Sequence, residues 1–347
     1  MEVEARNYLK LDEGKVRCNV CPHRCVLTDG STGFCGTRIN RGGKLYTLIY
    51  GEVSAISIDP IEKKPLFHFW PGSGTLSISS VGCSFKCPWC QNWYISQARA
   101  GEYPTTYMPP RAIVSYAKRY EAPSISYTYN EPIIWYEYLL DVAALAKKEG
   151  LMNVLVSNGY MTPETAEEFS KYVDAANVDI KSWREEVYKK YCKAELEPVL
   201  EACKIMKEKG VHVELTYLII PSINDDLNDI ESFCRWVAEE LGEYTPLHFS
   251  KFYPHYKMTQ LPPTPVELIE KALNVARSAG LKYVYSGNVP GHDGENTRCP
   301  SCGALVIKRF GFEILEYNLT EDGMCKSCGY GPIVRGKHIK SRRYFFL

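Results

Sequence analysis

The stretch Thr75-Leu-Ser-Ile-Ser-Ser-Val-Gly-Cys-Ser-Phe-Lys-Cys-Pro-Trp-Cys-Gln91 decides the fold. Residues 75–79 read as a short strand, and Cys83, Cys87 and Cys90 follow it directly. Three thiolates are one short of the set that closes the shell of a 4Fe-4S cluster, so one iron would stay open to bind and reduce a small molecule. A zinc knuckle on Cys87 and Cys90 is the alternative reading, but that site needs a fourth ligand at short range and none follows.

Outward from this run, short β-branched or aromatic segments alternate with longer ones of helical period as far as about residue 287. Further strands are expected at 124–128, 153–157, 177–181, 211–218, 247–251 and 282–286. Pro132 falls at a first helical turn and Gly150 at a stop, Thr264-Pro-Val-Glu267 reads as a capping box, and Gly242 and Gly280 end two more helices. Such βα alternation either opens into a doubly wound sheet or curls into a barrel, and the pattern alone does not choose.

The 347 residues are 45% hydrophobic and carry 41 basic against 41 acidic side chains. That neutral balance supplies no field for nucleic acid or an anionic membrane. No window is apolar for long enough to span a bilayer, the opening Met-Glu-Val-Glu-Ala-Arg lacks a signal peptide's apolar core, and a cytoplasmic protein is expected. Of the 14 cysteines, all but Cys192, Cys203 and Cys234 fall in three clusters, which in a chain this long speaks for metal binding in a reducing compartment. Those three stand among apolar neighbours in helical segments and read as small buried hydrophobes.

Residues 1–74 break the alternation. They hold Cys18-Asn-Val-Cys-Pro-His-Arg-Cys25 with Cys35, a Gly42-Gly43 turn between two strand-like runs, and Asp59-Pro-Ile-Glu-Lys-Lys-Pro-Leu-Phe-His-Phe-Trp70. Cys18, Cys21, Cys25 and Cys35 can close around zinc or around an auxiliary 4Fe-4S cluster; spacing does not separate the two, and zinc, with His23 as a substitute ligand, is the preferred reading. Glu62, Lys63, Lys64 and His68 read either as substrate contacts on a cleft rim or as a salt-linked interface. After residue 296, the knuckles Cys299-Pro-Ser-Cys302 and Cys325-Lys-Ser-Cys328 have zinc-ribbon character, with a second iron-sulfur centre as the alternative. Zinc is therefore expected at one or two sites, and the basic run 335–343 reads as a solvated tail.

The spacing C-x3-C-x2-C, with Trp89 before the third cysteine, resembles the signature of the radical S-adenosylmethionine (SAM) superfamily. The resemblance implies an α/β fold, a partial (β/α)6 TIM-like barrel over 75–296, with an N-terminal Cys-rich extension over 1–74 and a C-terminal zinc-ribbon-like unit over 297–347. It implies that SAM chelates the open iron, and that one electron from the cluster cleaves it to a 5′-deoxyadenosyl radical that abstracts hydrogen from an unreactive carbon. Glu131-Pro132 resembles the Glu-Pro turn that contacts the methionyl amino group in glycyl-radical-enzyme activases, with Tyr129 and Asn130 standing for two glycines. Ser157-Asn158-Gly159 resembles their Thr-Asn-Gly, with Val156 in place of a cation-binding aspartate. Asp179-Ile-Lys181 resembles their Asp-x-Lys, whose lysine neutralises the SAM carboxylate, and both His248 and His255 are candidates for a histidine near the ribose. The implied cofactor contacts are thus Trp89, Asn130, Glu131, Ser157, Asn158, Asp179, Lys181 and His248. A helix-capping Glu131 and a structural Asp179–Lys181 pair at the barrel rim are the alternative readings.

Together with Asp59-Pro-Ile-Glu-Lys-Lys-Pro65, Gln91-Asn-Trp93 and the two flanking cysteine sets, these motifs are similar to the AmmeMemoRadiSam-system radical SAM enzymes, relatives of pyruvate formate-lyase activase. The expected function is SAM cleavage and hydrogen abstraction from a protein, peptide or metabolite under anaerobic conditions, with a reductant such as flavodoxin or ferredoxin. Activation of a glycyl radical enzyme is one alternative; a non-catalytic iron-sulfur electron-transfer or RNA-binding protein is another.

Overall fold

The computed structural model describes residues 2–339 and 345–346. One sheet organises it, built from β1 (Ala55–Pro60), β2 (Gly74–Ser79), β3 (Ser124–Tyr127), β4 (Met152–Ser157), β5 (Ala175–Ile180), β6 (His212–Ile219), β7 (Leu247–Lys251) and β8 (Val284–Gly287). Strands β2 to β8 pair in chain order, each parallel to the next. A doubly wound sheet reverses its order at a switch point; this one never does, so it winds as a partial barrel. The expected (β/α)6 winding is finished by the seventh parallel strand, β8, which among the described residues has no neighbour on its far side. The sequence alternation arises because crossover helices cover a parallel sheet and make its strands nearly continuous buried runs, as in β2 and β3, where every residue is buried.

The crossovers are α1 (Pro110–Arg119), α2 (Tyr136–Lys148), α3 (Pro163–Ser170), α4 (Glu197–Glu208), α5 (Leu227–Trp236) and α6 (Val266–Ser278). Gly150, Gly242 and Gly280 take positive φ at helix ends, as the sequence suggests. The capping box at Thr264 does not form. Thr264 Oγ1 instead donates to Ile219 O at 2.6 Å and accepts from Phe252 N at 2.9 Å, because its buried position between the ends of β6 and β7 offers these backbone partners. Among the described residues no helix is long and apolar enough to cross a membrane.

Residues before β1 build two small antiparallel sheets, one of which contains the expected Gly42-Gly43 turn between Arg38–Arg41 and Lys44–Thr47. Arg38 fastens this part to α2 through a buried ion pair with Glu137 at 2.7 Å. β1 adds antiparallel to β2, and Phe345–Phe346 adds antiparallel to β1. After β8, the strands β9 (Thr297–Arg298), β10 (Leu305–Phe310) and β11 (Glu313–Tyr317) form a separate antiparallel sheet, with Cys299 and Cys302 between β9 and β10 and Cys325 and Cys328 beyond β11. The basic tail continues into residues 340–344, outside the described residues.

A buried carboxylate ties the sheet to both flanks. Glu214 on β6 accepts from Phe67 N at 3.0 Å and His68 N at 2.8 Å, and its oxygens lie 2.9 Å from His212 Nε2 and 2.7 Å from His248 Nε2. Burial works against its charge, but the two imidazoles hold it well below the usual carboxylate range. His68 continues the network to Ile333 O at 2.7 Å, and Arg309 donates to Phe67 O at 2.9 Å. Nearby, Glu62 is buried and accepts from Gly72 N at 2.8 Å.

Burial pushes the Glu62 carboxyl up to about 7 from 4.5. Its stabilising contribution is therefore full below about 4.5 and is lost as pH rises through about 7. Relative to wild type, Glu62→Gln is expected to gain up to about 3 kcal/mol between acidic and mildly alkaline pH, measured by urea unfolding at each end of the window. A wild-type-to-variant difference that stays constant across that window would contradict this role for the carboxyl.

Candidate active site

β2 ends at Ser79, and the chain turns at Gly82 with φ 88°. A Cβ there would sit 2.6 Å from Thr37 Cγ2 and 2.8 Å from Cys35 O, so this close approach needs glycine. Asn130 closes the turn: its Oδ1 accepts from Ser80 N at 3.1 Å and its Nδ2 donates to Gly82 O at 3.0 Å. One residue beyond Cys83, Ser84 Oγ accepts from Asn158 Nδ2 at 3.1 Å and Ser84 O lies 2.8 Å from His23 Nε2. Held this way, Cys83, Cys87 and Cys90 all line one cavity of about 630 Å³, within the ~300–1,000 Å³ range of small-molecule sites.

Much of the remaining wall comes from the carboxyl ends of the parallel strands, where such folds place their chemistry, with further parts from β1, the segment after it and Phe312. Trp89, Asn130, Glu131, Ser157, Asn158, Asp179 and Lys181 are brought together there. His248 is not. It is the second residue of β7, too early in the strand to reach the cavity, and is buried against Glu214 in the interior network. His255 is also absent from the walls, and its Nδ1 is buried without a partner.

Glu131 is fully engaged. Its Oε1 accepts from Ile133 N at 3.0 Å and Ser157 Oγ at 2.8 Å, and its Oε2 accepts from Asn158 N at 2.8 Å. It caps the turn Pro132–Trp135 and joins the ends of β3 and β4, while burial raises its pKa to about 7. Asp179 and Lys181 pair at 2.8 Å on the cavity face, as strand alternation requires. Burial opposes the Lys181 charge, but Asp179 keeps the ammonium above its ordinary value.

Tyr129, before Asn130 and Glu131, takes φ 68°, a left-handed conformation uncommon for a bulky residue. Its hydroxyl donates to Asp59, and its carbonyl accepts from Asn92 Nδ2 at 2.8 Å. Asp59 also pairs with Lys64 at 2.6 Å and Lys63 at 2.8 Å, and both lysines line the cavity. Lys63 and Lys64 are thus salt-linked to Asp59 and also line the cavity, whereas Glu62 and His68 belong to the interior. Burial lowers Lys64 to about 8 against the pull of Asp59.

Asp59 and Tyr129 gain their roles only through contacts far apart in sequence. So does Cys192, whose Sγ lies 3.6 Å from Cys87 Sγ. Buried as expected, it nevertheless abuts the cysteine triad and is more than a filler; Cys203 and Cys234 are buried too. In the third cysteine set, Cys299, Cys302, Cys325 and Cys328 have sulfurs all within 4.8 Å of one another, with Cys299 to Cys328 at 3.6 Å and Cys302 to Cys325 at 3.8 Å. Those separations suit a single ion bound tetrahedrally at about 2.3 Å per thiolate.

A family model described as the radical SAM superfamily matches residues 77–237. An uncharacterised protein from Methanocaldococcus jannaschii is 51% identical over 327 residues, covering 94% of this chain and 97% of that protein. The pyruvate formate-lyase 1-activating enzyme of Escherichia coli K12 is 21% identical over 221 residues, covering 59% of this chain and 89% of that enzyme. Among solved structures, a radical SAM methyltransferase from Sphaerobacter thermophilus aligns with TM-score 0.50 and 14% identity over 65% of this chain and 71% of that one, a likeness of fold.

Because Cys87 and Cys192 touch, metal-free protein treated with a mild oxidant is expected to link them. The linked peptide pair would be found by mass spectrometry after proteolysis and lost in Cys192→Ser. Recovery of both as unlinked thiols while other cysteines oxidise would contradict the juxtaposition.

Proposed function

Because the chain belongs to the radical SAM superfamily, we propose that Cys83, Cys87 and Cys90 hold its 4Fe-4S cluster and that the cavity beside them receives SAM and a hydrogen-donating substrate. The observation that carries this reading is the convergence of three thiols, and no fourth from the triad loop, on a cavity that Glu131, Asn158 and the Asp179–Lys181 pair also line. When bound, the cluster and SAM supply the superfamily's general reaction, one-electron cleavage of SAM to a 5′-deoxyadenosyl radical.

The chain's own groups bind and orient. Lys181 offers an ammonium to the SAM carboxylate, and Asp179 keeps it charged and aimed. Glu131 and Asn130 act as positioning residues, since their hydrogen bonds fix the turns that frame the cavity. Lys63 and Lys64, both paired with Asp59, line the same cavity. Tyr94 and Phe312, each about half exposed, line the same cavity and favour a protein or peptide segment as substrate. Activation of a glycyl radical enzyme is the second reading; the Glu131-Pro132 turn, kept by the left-handed Tyr129, supports it. We assign zinc to the C-terminal cysteine set from its compact sulfurs, and a one-electron protein donor as the reductant.

Reconstituted anaerobically and reduced with dithionite, the protein is expected to release 5′-deoxyadenosine from SAM, with none from Cys83→Ala, read by chromatography. Equal amounts from both would overturn the reading and favour a non-catalytic iron-sulfur protein. Lys181→Ala is expected to weaken SAM binding by about tenfold or more at unchanged iron content, as loss of a charged hydrogen bond implies; unaltered binding by calorimetry would remove Lys181 from the site.

A further inference from the structure

Two of the three cysteine sets give an internal measure of what each can hold. Among the described residues, the C-terminal set is the one whose ligand atoms all lie within 4.8 Å of one another. The triad at Cys83, Cys87 and Cys90 does not meet that limit, and neither do Cys18, Cys21, Cys25 and Cys35. A lone ion draws four thiolates into a tight tetrahedron, whereas a four-iron cluster holds them apart at its corners. The N-terminal sulfurs, like those of the triad, fall outside that limit.

They also enclose a space. Cys18, Cys21, Cys25 and Cys35 line one internal cavity together with Val20, Phe34, Arg38 and Ile134. Four thiolates closed on a zinc ion would leave no cavity among themselves. Arg38 points to a ligand independently: its side chain is 2% exposed and its Nη atoms bond Glu137 and Ile134 O, yet its Nε finds no partner. A buried donor left unpaired is costly, and the sulfur of an anionic centre would satisfy it.

We propose that Cys18, Cys21, Cys25 and Cys35 hold a second 4Fe-4S cluster, ligated at every iron. With no open iron it cannot anchor a substrate, so its chemistry is electron transfer: one electron taken from a low-potential protein donor and one passed to the cluster of the triad. Its location suits that role. Cys35 O packs against Gly82, next to Cys83, and His23, between Cys21 and Cys25, contacts Ser84 O at 2.8 Å. Phe85, Tyr160 and His23 form a chain of ring contacts at 5.3 and 5.2 Å between the two loops.

The test begins with a chain lacking the triad, Cys83→Ala/Cys87→Ala/Cys90→Ala, reconstituted anaerobically with iron and sulfide, so that its outcome is independent of SAM cleavage. It is expected to retain about four irons and four acid-labile sulfides per chain and, once reduced, an electron paramagnetic resonance signal that added SAM leaves unchanged. Zinc without sulfide, no metal at all, or a signal altered by SAM would each overturn the assignment. In the otherwise intact chain, Cys18→Ser/Cys21→Ser is expected to lower iron from about eight to about four while SAM still alters the remaining signal. Unchanged iron in that variant would equally overturn it.

Discussion

Three thiols must face one cavity just beyond the end of a parallel strand while space beside them stays free for a ligand. Most of the surrounding structure answers that requirement. The turn into the Cys83–Cys90 loop is irregular and largely buried, so its polar groups need partners: Asn130 bonds Ser80 N and Gly82 O, His23 bonds Ser84 O, and Asn158 bonds the Ser84 hydroxyl. Gly82 is fixed by the same demand, since Thr37 and Cys35 fill the space a side chain would occupy. The N-terminal cysteine module is therefore packed against the triad's own backbone, the juxtaposition on which the proposed second cluster rests.

A second constraint acts one layer deeper. Glu214 places a full negative charge inside the sheet, tolerable only because two backbone N–H groups and two imidazoles surround it. Those N–H groups belong to Phe67 and His68, so the carboxylate draws the segment after β1 across the barrel and leaves Lys63 and Lys64 facing the cavity. His68 and Arg309 extend the bonding to the C-terminal unit, whose Phe312 reaches the cavity as well. The site is thus assembled from all three stretches of the chain, with the charged hub setting how they meet.

The barrel was legible because parallel strands covered by helices leave a plain record in sequence: buried runs, glycine stops and helical spacers. Cys83, Cys87, Cys90 and the Asp179–Lys181 pair were legible because each depends on spacing within one element. His248 was not, since its height along β7 decides whether it faces the cavity or the interior, and periodicity is silent about height. Thr264 looked like a cap until the ends of two strands competed for its hydroxyl. Cys192 and Asp59 carry no local signal, because Cys87 and Tyr129 are distant in the chain. For the N-terminal cysteines, zinc and a cluster were not separable for a related reason: sequence gives ligand order, whereas the placement of the sulfurs appears only in three dimensions.

The central claim is that the triad leaves one iron open to SAM. Electron paramagnetic resonance of the reduced, reconstituted protein, recorded with and without SAM, tests it most directly. The expected result is that the signal component lost in Cys87→Ala shifts when SAM is added, because SAM enters the coordination sphere of that cluster. A component that depends on the triad yet is indifferent to saturating SAM would contradict the claim.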